Sequence, residues 1–256
     1  MTLSHGENGK NALITGAGKR IGRVIAEALA ADGWGICVHY HSSAGAAARV
    51  VAGIEKKGGR AVALAADLAD EQAVRGLVPA AVEALGRLSL LVNNASLFER
   101  DEALTASRES WDAHMETNLR APFVLTQAFA GQVSGDRASS VINIIDQRVW
   151  NLSPHFTSYT LSKAGLWTMT RTMALALAPR IRVNAIAPGP TLPSSRQTAA
   201  EFERQWRATP LARPVDPDEI AACVRFILDA PSLSGQMIAL DSGQHLAGAV
   251  IKEEIE

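Results

Sequence analysis

The stretch Thr15-Gly16-Ala17-Gly18-Lys19-Arg20-Ile21-Gly22 decides how this chain reads. It closes a short apolar run, Asn11–Thr15, and opens directly into a helix-length amphipathic stretch, Ile21–Asp32. Glycine lets a backbone turn tightly and approach a ligand closely, while a helix N-terminus offers unpaired N–H groups and the positive end of its dipole. Strand, glycine-rich turn and helix in that order describe a seat for a nucleotide pyrophosphate. Its candidate contacts are Gly16, Gly18, Lys19, Arg20, Ile21 and Gly22.

Outward from this turn the same alternation runs to the end of the chain. Strand-like runs are expected at Gly35–Tyr40, Ala61–Ala66, Leu88–Asn93, Ser140–Asp146, Arg182–Ala187 and Gln236–Leu240. Helical stretches are expected at Ala44–Lys57, Glu71–Leu85, Glu109–Gly131, Ser158–Ala178 and Asp218–Leu228. A continuous apolar run such as Val141–Ile145 suits a strand buried on both faces, which means a parallel sheet covered by helices. The expected fold class is α/β: a single-domain, doubly wound, Rossmann-type parallel sheet of about seven strands flanked by helices. No linker, low-complexity tract or repeat divides the chain, so one domain is expected over residues 1–256. Residues 188–217 alone are irregular, with proline at 188, 190, 193, 210, 214 and 217. A segment of that length reads as a loop over a site.

Composition narrows the class. Hydrophobic residues make up 47% and charged residues 20%, which supports a large core and excludes general disorder. Lys+Arg 25 against Asp+Glu 26 gives a net charge of -1, so no nucleic-acid or anionic-membrane partner is expected. No apolar run approaches the roughly 18 residues of a membrane span, and the first ten residues, MTLSHGENGK, lack the apolar stretch of a signal peptide. Cys37 and Cys223 cannot form a disulfide framework, so the reducing cytoplasm is the expected compartment. Cys37, His39 and His41 share one strand face but lack a fourth metal ligand; no metal is expected.

The end of the second strand bears on the nucleotide. An NAD site places Asp or Glu there for the ribose 2′-hydroxyl. Here the chain reads His39-Tyr40-His41-Ser42-Ser43, with no acid between Asp32 and Glu55. Without a repelling carboxylate, Lys19, Arg20, Ser42 and Ser43 can hold a 2′-phosphate, so NADP(H) is the expected cofactor. Asp67-Leu68 and Asn94-Ala95 follow the third and fourth strands, at the ends where open α/β sheets bind ligands, and add candidate contacts.

Tyr159 and Lys163 are four residues apart at the start of a helix, so phenol and ammonium share a face. A nearby cation favours phenolate and draws the tyrosine toward a useful acid–base range. Pro122 interrupts a helical stretch and cannot donate to the carbonyl of Asn118, which leaves an acceptor at a kink where a water can sit.

TGAGKRIG at 15–22, Asp67-Leu68, NNAS at 93–96, Asn118, YTLSK at 159–163 and RVNAIAPGPT at 182–191 together resemble the short-chain dehydrogenase/reductase family, from Thr15 to Gly243. The turn is similar to that family's T-G-x-x-x-G-x-G, with Arg20 at the central glycine. The resemblance implies that Tyr159 donates the proton and that Lys163 lowers its pKa and holds the nicotinamide ribose. It also implies that Asn118 holds a relay water, and that Pro188, Gly189 and Thr191 border the nicotinamide. Family members are usually tetramers built on two long helices, so a homotetramer is expected, with Trp167, Met169 and Met173 as candidate interface residues.

One position departs from the common pattern: Asp146 stands where most members carry a serine. An ionised carboxylate is acceptor-only and repels a developing oxyanion, so it suits a ring rich in N–H donors better than a ketone. The arginine-bearing turn, the His-Tyr-His-Ser strand end, Asn-Asn-Ala-Ser-x-Phe and this aspartate resemble the pteridine and dihydromonapterin reductases. That subgroup implies that Phe98 stacks a pterin, that Ser96, Asp146 and Tyr159 contact it, that Arg20 and His41 lie at the cofactor, and that C=N reduction is the reaction. Two alternatives stand beside it: a carbonyl reductase with Ser153 or another hydroxyl replacing the serine, and an NADPH-binding regulator without turnover.

Overall fold

A computed structural model describes residues 9–134, 139–194 and 196–247. The reading of the first eight residues lies outside the described residues. Seven strands form one parallel sheet: β1 Asn11–Ile14, β2 Gly35–Tyr40, β3 Arg60–Ala65, β4 Leu90–Asn93, β5 Ser139–Ile144, β6 Ile181–Pro188 and β7 Met237–Leu240. Their order is β3-β2-β1-β4-β5-β6-β7. The chain winds one way to β3 and then returns beyond β1, so the order reverses between β1 and β4. That switch point opens a crevice at the carboxyl ends of the strands.

Alternate side chains of each inner strand enter opposite layers, as the period of a strand requires. Ala12, Ile14, Ile36, Val38, Leu90 and Val92 pack into one layer with Ile25 and Leu29 of α1 (Arg20–Ala31), Val50 of α2 (Ala44–Lys56) and Ile220 and Val224 of α8 (Pro217–Asp229). Leu13, Cys37, Leu91, Val141 and Val183 enter the other layer. There they meet Val74 and Leu77 of α3 (Glu71–Leu85), Leu125 and Phe129 of α5 (Ala121–Gln132) and Ala174 of α6 (Thr157–Leu177). The short continuous apolar runs are therefore strands buried on both sides.

Two expectations are revised. The helix expected over Glu109–Gly131 is α4 (Arg108–Met115), a π-turn at Glu116–Arg120, and α5. Pro122 does break the ladder, and the chain absorbs the lost donor by widening: Ala121 N–H bonds the Glu116 carbonyl five residues back. The proline-rich segment is not wholly irregular, because Ala199–Arg207 forms helix α7. Thr198 and Glu201 close it with a reciprocal capping box. Of the candidate interface residues, Met169 is buried in the core with Leu166, and Trp167 and Met173 are partly buried against it. The exposed large apolar residues of α6 are Leu161 and Leu175.

Both cysteines are buried and free, and burial pushes Cys37 up to about 12 and Cys223 to about 11, so neither thiolate forms near neutrality. Among the described residues no helix is long and apolar enough to cross a membrane, and no group of His, Cys, Asp and Glu is arranged to hold a metal.

Candidate active site

The first turn is held from two sides. From β2, the His39 carbonyl accepts from Ala17 N–H at 3.0 Å, and its Nδ1 accepts from Gly16 N–H at 3.1 Å. Nε2 of the same ring faces the Ala66 carbonyl at 3.1 Å, which fixes the neutral tautomer with hydrogen on Nε2. From β4, Asn94 and Ala95 N–H both donate to Thr15 Oγ1 at 2.9 Å, and Asn94 Nδ2 donates to the Thr15 carbonyl at 2.8 Å. Asn94 and Ala95 thus shape the turn, with His39 and Thr15 as partners that the sequence pattern did not single out.

Glycine is required where the turn meets α1. A Cβ on Gly22 would lie 2.5 Å from both the Gly16 carbonyl oxygen and Asn94 Nδ2. Gly22→Ala is expected to cost about 1–3 kcal/mol of stability and to weaken nucleotide binding, read as a lower Tm and a higher Kd. A variant as stable and as tight as the wild type would show that the turn can yield. Arg20 takes the central glycine's place with a left-handed φ of 53°, the region glycine adopts most readily.

Two helix N-termini face this end of the sheet without competition. Neither α1, begun at Lys19, nor α2, begun at Ser43, has a side-chain cap or an acid in its first turn. The space beside Gly18 is bordered by Ser43, whose Oγ lies 3.4 Å from where a Gly18 Cβ would stand. His41 is exposed and 3.7 Å from Asp67, whose Oδ1 accepts from Ala69 N–H; Leu68 is buried. Arg20 is engaged elsewhere. Its guanidinium donates to the carbonyls of Pro193 at 2.8 Å and Leu192 at 3.1 Å, tying the turn to the loop after β6 rather than to Ser42 or Ser43.

That loop covers a cavity of about 450 Å³ lined by Arg20, Ile21, Ser96, Phe98, Asp146, Tyr159, Lys163 and Pro188–Thr191, among others. Gly189 allows β6 and β7 to close below it, since a Cβ there would lie 2.7 Å from Asp241 Cα. The Thr191 hydroxyl donates to the Gly189 carbonyl at 2.9 Å. Strand β5 ends at Ile144, short of Asp146, because Asp146 caps a 3-10 turn, Gln147–Val149. One Asp146 oxygen accepts from Arg148 N–H at 2.8 Å, and the other accepts from the Tyr159 hydroxyl at 2.8 Å. Lys163 Nζ donates to the Ile144 carbonyl at 2.9 Å and lies 5.8 Å from the centre of the Tyr159 ring. Its burial lowers its pKa to about 8, against the opposing pull of Asp146. Phenol, ammonium and carboxylate therefore meet in one place.

The Asn118 side chain, buried at the π-turn, reaches the loop after β4. Its Nδ2 donates to the Leu97 carbonyl at 2.9 Å and to Ser162 Oγ at 3.1 Å, and its Oδ1 accepts from Leu97 N–H at 2.8 Å. Ser96 Oγ also reaches that Oδ1, at 3.3 Å. Phe98 is already stacked, with Phe156 on one face at 4.4 Å and 6°, and Tyr159 meets it edge-on at 4.7 Å. The Arg196 guanidinium lies 5.8 Å from its ring. Ser153 does not stand in for the missing serine: it pairs with Arg148 and donates to the His155 carbonyl, outside the cavity lining.

Beneath Phe98 lies a polar cluster that the sequence pattern did not reveal. Asp101 accepts from Ser158 N–H at 3.1 Å and from both the Ser158 and Ser110 hydroxyls. His114 Nε2 accepts from Glu99 N–H at 3.1 Å, and its Nδ1 lies 2.7 Å from Ser158 Oγ. Burial lowers the pKa of both His39 and His114 from the usual 6.5, and each ring accepts an N–H bond that only its neutral form can take. The folded state thus binds fewer protons than the unfolded chain below that pH. Stability from these two groups is whole above about 6.5 and is lost as pH falls below it. A Tm falling steadily from about pH 7 to 5 is expected; a flat profile would contradict these two assignments.

A parallel sheet with a nucleotide-type turn at its switch point and a Tyr–Lys pair beside the neighbouring strand end defines an oxidoreductase of the one-domain α/β class. The chain belongs to the short-chain dehydrogenase/reductase family. Residues 16–245 match the family model described as Enoyl-(Acyl carrier protein) reductase. An uncharacterized oxidoreductase of Methylorubrum extorquens is 36% identical over 92% of this chain and 97% of its own length. A 3-oxoacyl-[acyl-carrier-protein] reductase of Synechocystis is 34% identical over 91% and 95%. Among solved structures, the FolM alternative dihydrofolate reductase 1 of Brucella suis, crystallised with NADP, is 47% identical, with a TM-score of 0.90 over 92% of this chain and 95% of that one.

Proposed function

We propose that this protein is an NADPH-dependent reductase of a pterin or dihydropteridine, acting on a ring C=N bond. The observation that carries the reading is the Asp146 carboxylate, lining the cavity and accepting the Tyr159 hydroxyl at 2.8 Å. The FolM relatives, named as dihydrofolate reductases, support it. The 3-oxoacyl reductases among the relatives point instead to a ketone, which an acceptor-only carboxylate disfavours.

The turn fits a dinucleotide on this chain's own features: an uncapped α1 N-terminus, and a turn kept tight by Gly16 and Gly22, where a Cβ would press on Ala95 or on the Gly16 carbonyl. Gly16, Gly18, Lys19, Ile21 and Gly22 would hold the pyrophosphate, with Arg20 at its cavity side. Ser42, Ser43 and His41 would receive the 2′-phosphate at the uncapped α2 N-terminus. Asp67 and Leu68 would border the adenine, while Lys163, Pro188, Gly189 and Thr191 would border the nicotinamide. When bound, the reduced nicotinamide supplies a hydride. Asp146 accepts N–H bonds from the heterocycle and holds the Tyr159 hydroxyl in its donating form. Tyr159 delivers the proton, the Lys163 ammonium stabilises the phenolate it leaves, and Asn118 anchors the loop bearing Ser96 and Phe98.

The two buried thiols are compatible with a reducing cytoplasm, and the apolar Leu161 and Leu175 on α6 are compatible with assembly as a homotetramer. The test is a panel of dihydrobiopterin, dihydromonapterin, dihydrofolate and a 3-oxoacyl thioester with NADPH, followed by its absorbance. Oxidation of NADPH by the pteridines is expected. Turnover of the thioester alone would replace this reading with a carbonyl reductase, and unchanged absorbance throughout would point to a binding protein.

A further inference from the structure

Strands β5, β6 and β7 are neighbours, and their carboxyl ends bring two glutamines to the same cavity. Gln147 follows Asp146 directly, and Gln244 opens a last 3-10 turn, Gln244–Leu246. They are 5% and 9% exposed, yet neither Oε1 has a hydrogen-bond partner among the described residues. Their backbones are well tied. The Gln147 carbonyl accepts from Trp150 N–H at 2.9 Å, and the Gln244 carbonyl accepts from Asn151 Nδ2 at 3.2 Å. The Trp150 and His245 rings, 5.4 Å apart, join the two turns.

A buried amide oxygen without a donor costs about 1–3 kcal/mol, and folded proteins keep few such atoms without a use. A carboxamide also carries two N–H donors beside that acceptor. Asp146, one residue away, only accepts. The pair therefore adds to the cavity what the carboxylate lacks.

We propose that Gln147 and Gln244 are specificity-determining residues that read the amide-like edge of a flat heterocycle, an N–H or amino group adjacent to a carbonyl. This rests on the heterocycle-reductase reading and deepens it by assigning the side chains that recognise the amino-oxo edge of the ring. A simple ketone offers one acceptor and no donor, and so leaves both amide oxygens unanswered.

The test is a binding cycle on the NADP-loaded protein, pairing removal of the side-chain amide with removal of the ligand's edge. The ligands are 2-amino-4-oxopteridine and unsubstituted pteridine; the variants, Gln147→Met and Gln244→Met, conserve volume. Wild type is expected to prefer the amino-oxo ligand, and each substitution is expected to narrow that preference about fivefold. Should a methionine variant not fold, Gln147→Asn or Gln244→Asn, which draws the amide back by one methylene, is expected to narrow it likewise. If wild type binds and reduces pteridines while the variants keep the full preference, the amide assignment falls and the reductase reading stands. If wild type neither binds nor reduces them, both fall.

Discussion

Tyr159→Phe is expected to lower kcat for dihydropteridine reduction by about 10²–10⁴-fold, the usual contribution of a positioned general acid. NADPH affinity should stay within about twofold, because the groups assigned to the phosphates lie elsewhere. The substitution removes one hydroxyl from a side chain that keeps its edge contact with Phe98. Asp146 loses one donor and retains Arg148 N–H. The fold should therefore survive, and circular dichroism with a cofactor titration separates a lost acid from a lost structure. Near-normal turnover in Tyr159→Phe would remove this residue from the chemistry.

Asp146→Ser is expected to move the preference from pteridines toward ketones by about 10²–10³-fold in the ratio of kcat/KM values. Two effects act together. The substitution removes an acceptor for ring N–H groups, and charge-assisted bonds of that kind are worth about 1.5–3 kcal/mol. It also replaces a group that repels a developing oxyanion by one that can donate to it. An unaltered ratio would show that position 146 does not choose the substrate.

What could be read from the chain, and what could not, follows from the range of each signal. All seven strands and most of the helices around them are legible because apolar runs bounded by turn residues are local patterns. The glycine-rich turn and the Tyr159–Lys163 pair are legible for the same reason, their partners being close in sequence. Helix α7 escaped because six prolines dominated the reading of 188–217, although Thr198 and Glu201 carry an ordinary capping signal. Pro122 marked the break near Asn118, but whether the chain kinks or widens is settled by packing.

The reach of Arg20 to Leu192 and Pro193, and the stacking of Phe98 on Phe156, join residues far apart in the chain and leave no periodic trace. The same holds for His39, whose ring supports Gly16 from the next strand. The cluster of Asp101, His114 and Ser158 and the convergence of Gln147 and Gln244 on one cavity are likewise products of tertiary structure.

We propose that a negative charge at position 146, not merely an acceptor of that shape, selects the nitrogen heterocycle. Asp146→Asn keeps the shape and removes the charge, so the deciding measurement is the Kd of 2-amino-4-oxopteridine on the NADP-loaded wild type and variant at neutral pH. A weakening of about 10–100-fold is expected. Equal affinities would show that the charge at position 146 does not select the heterocycle.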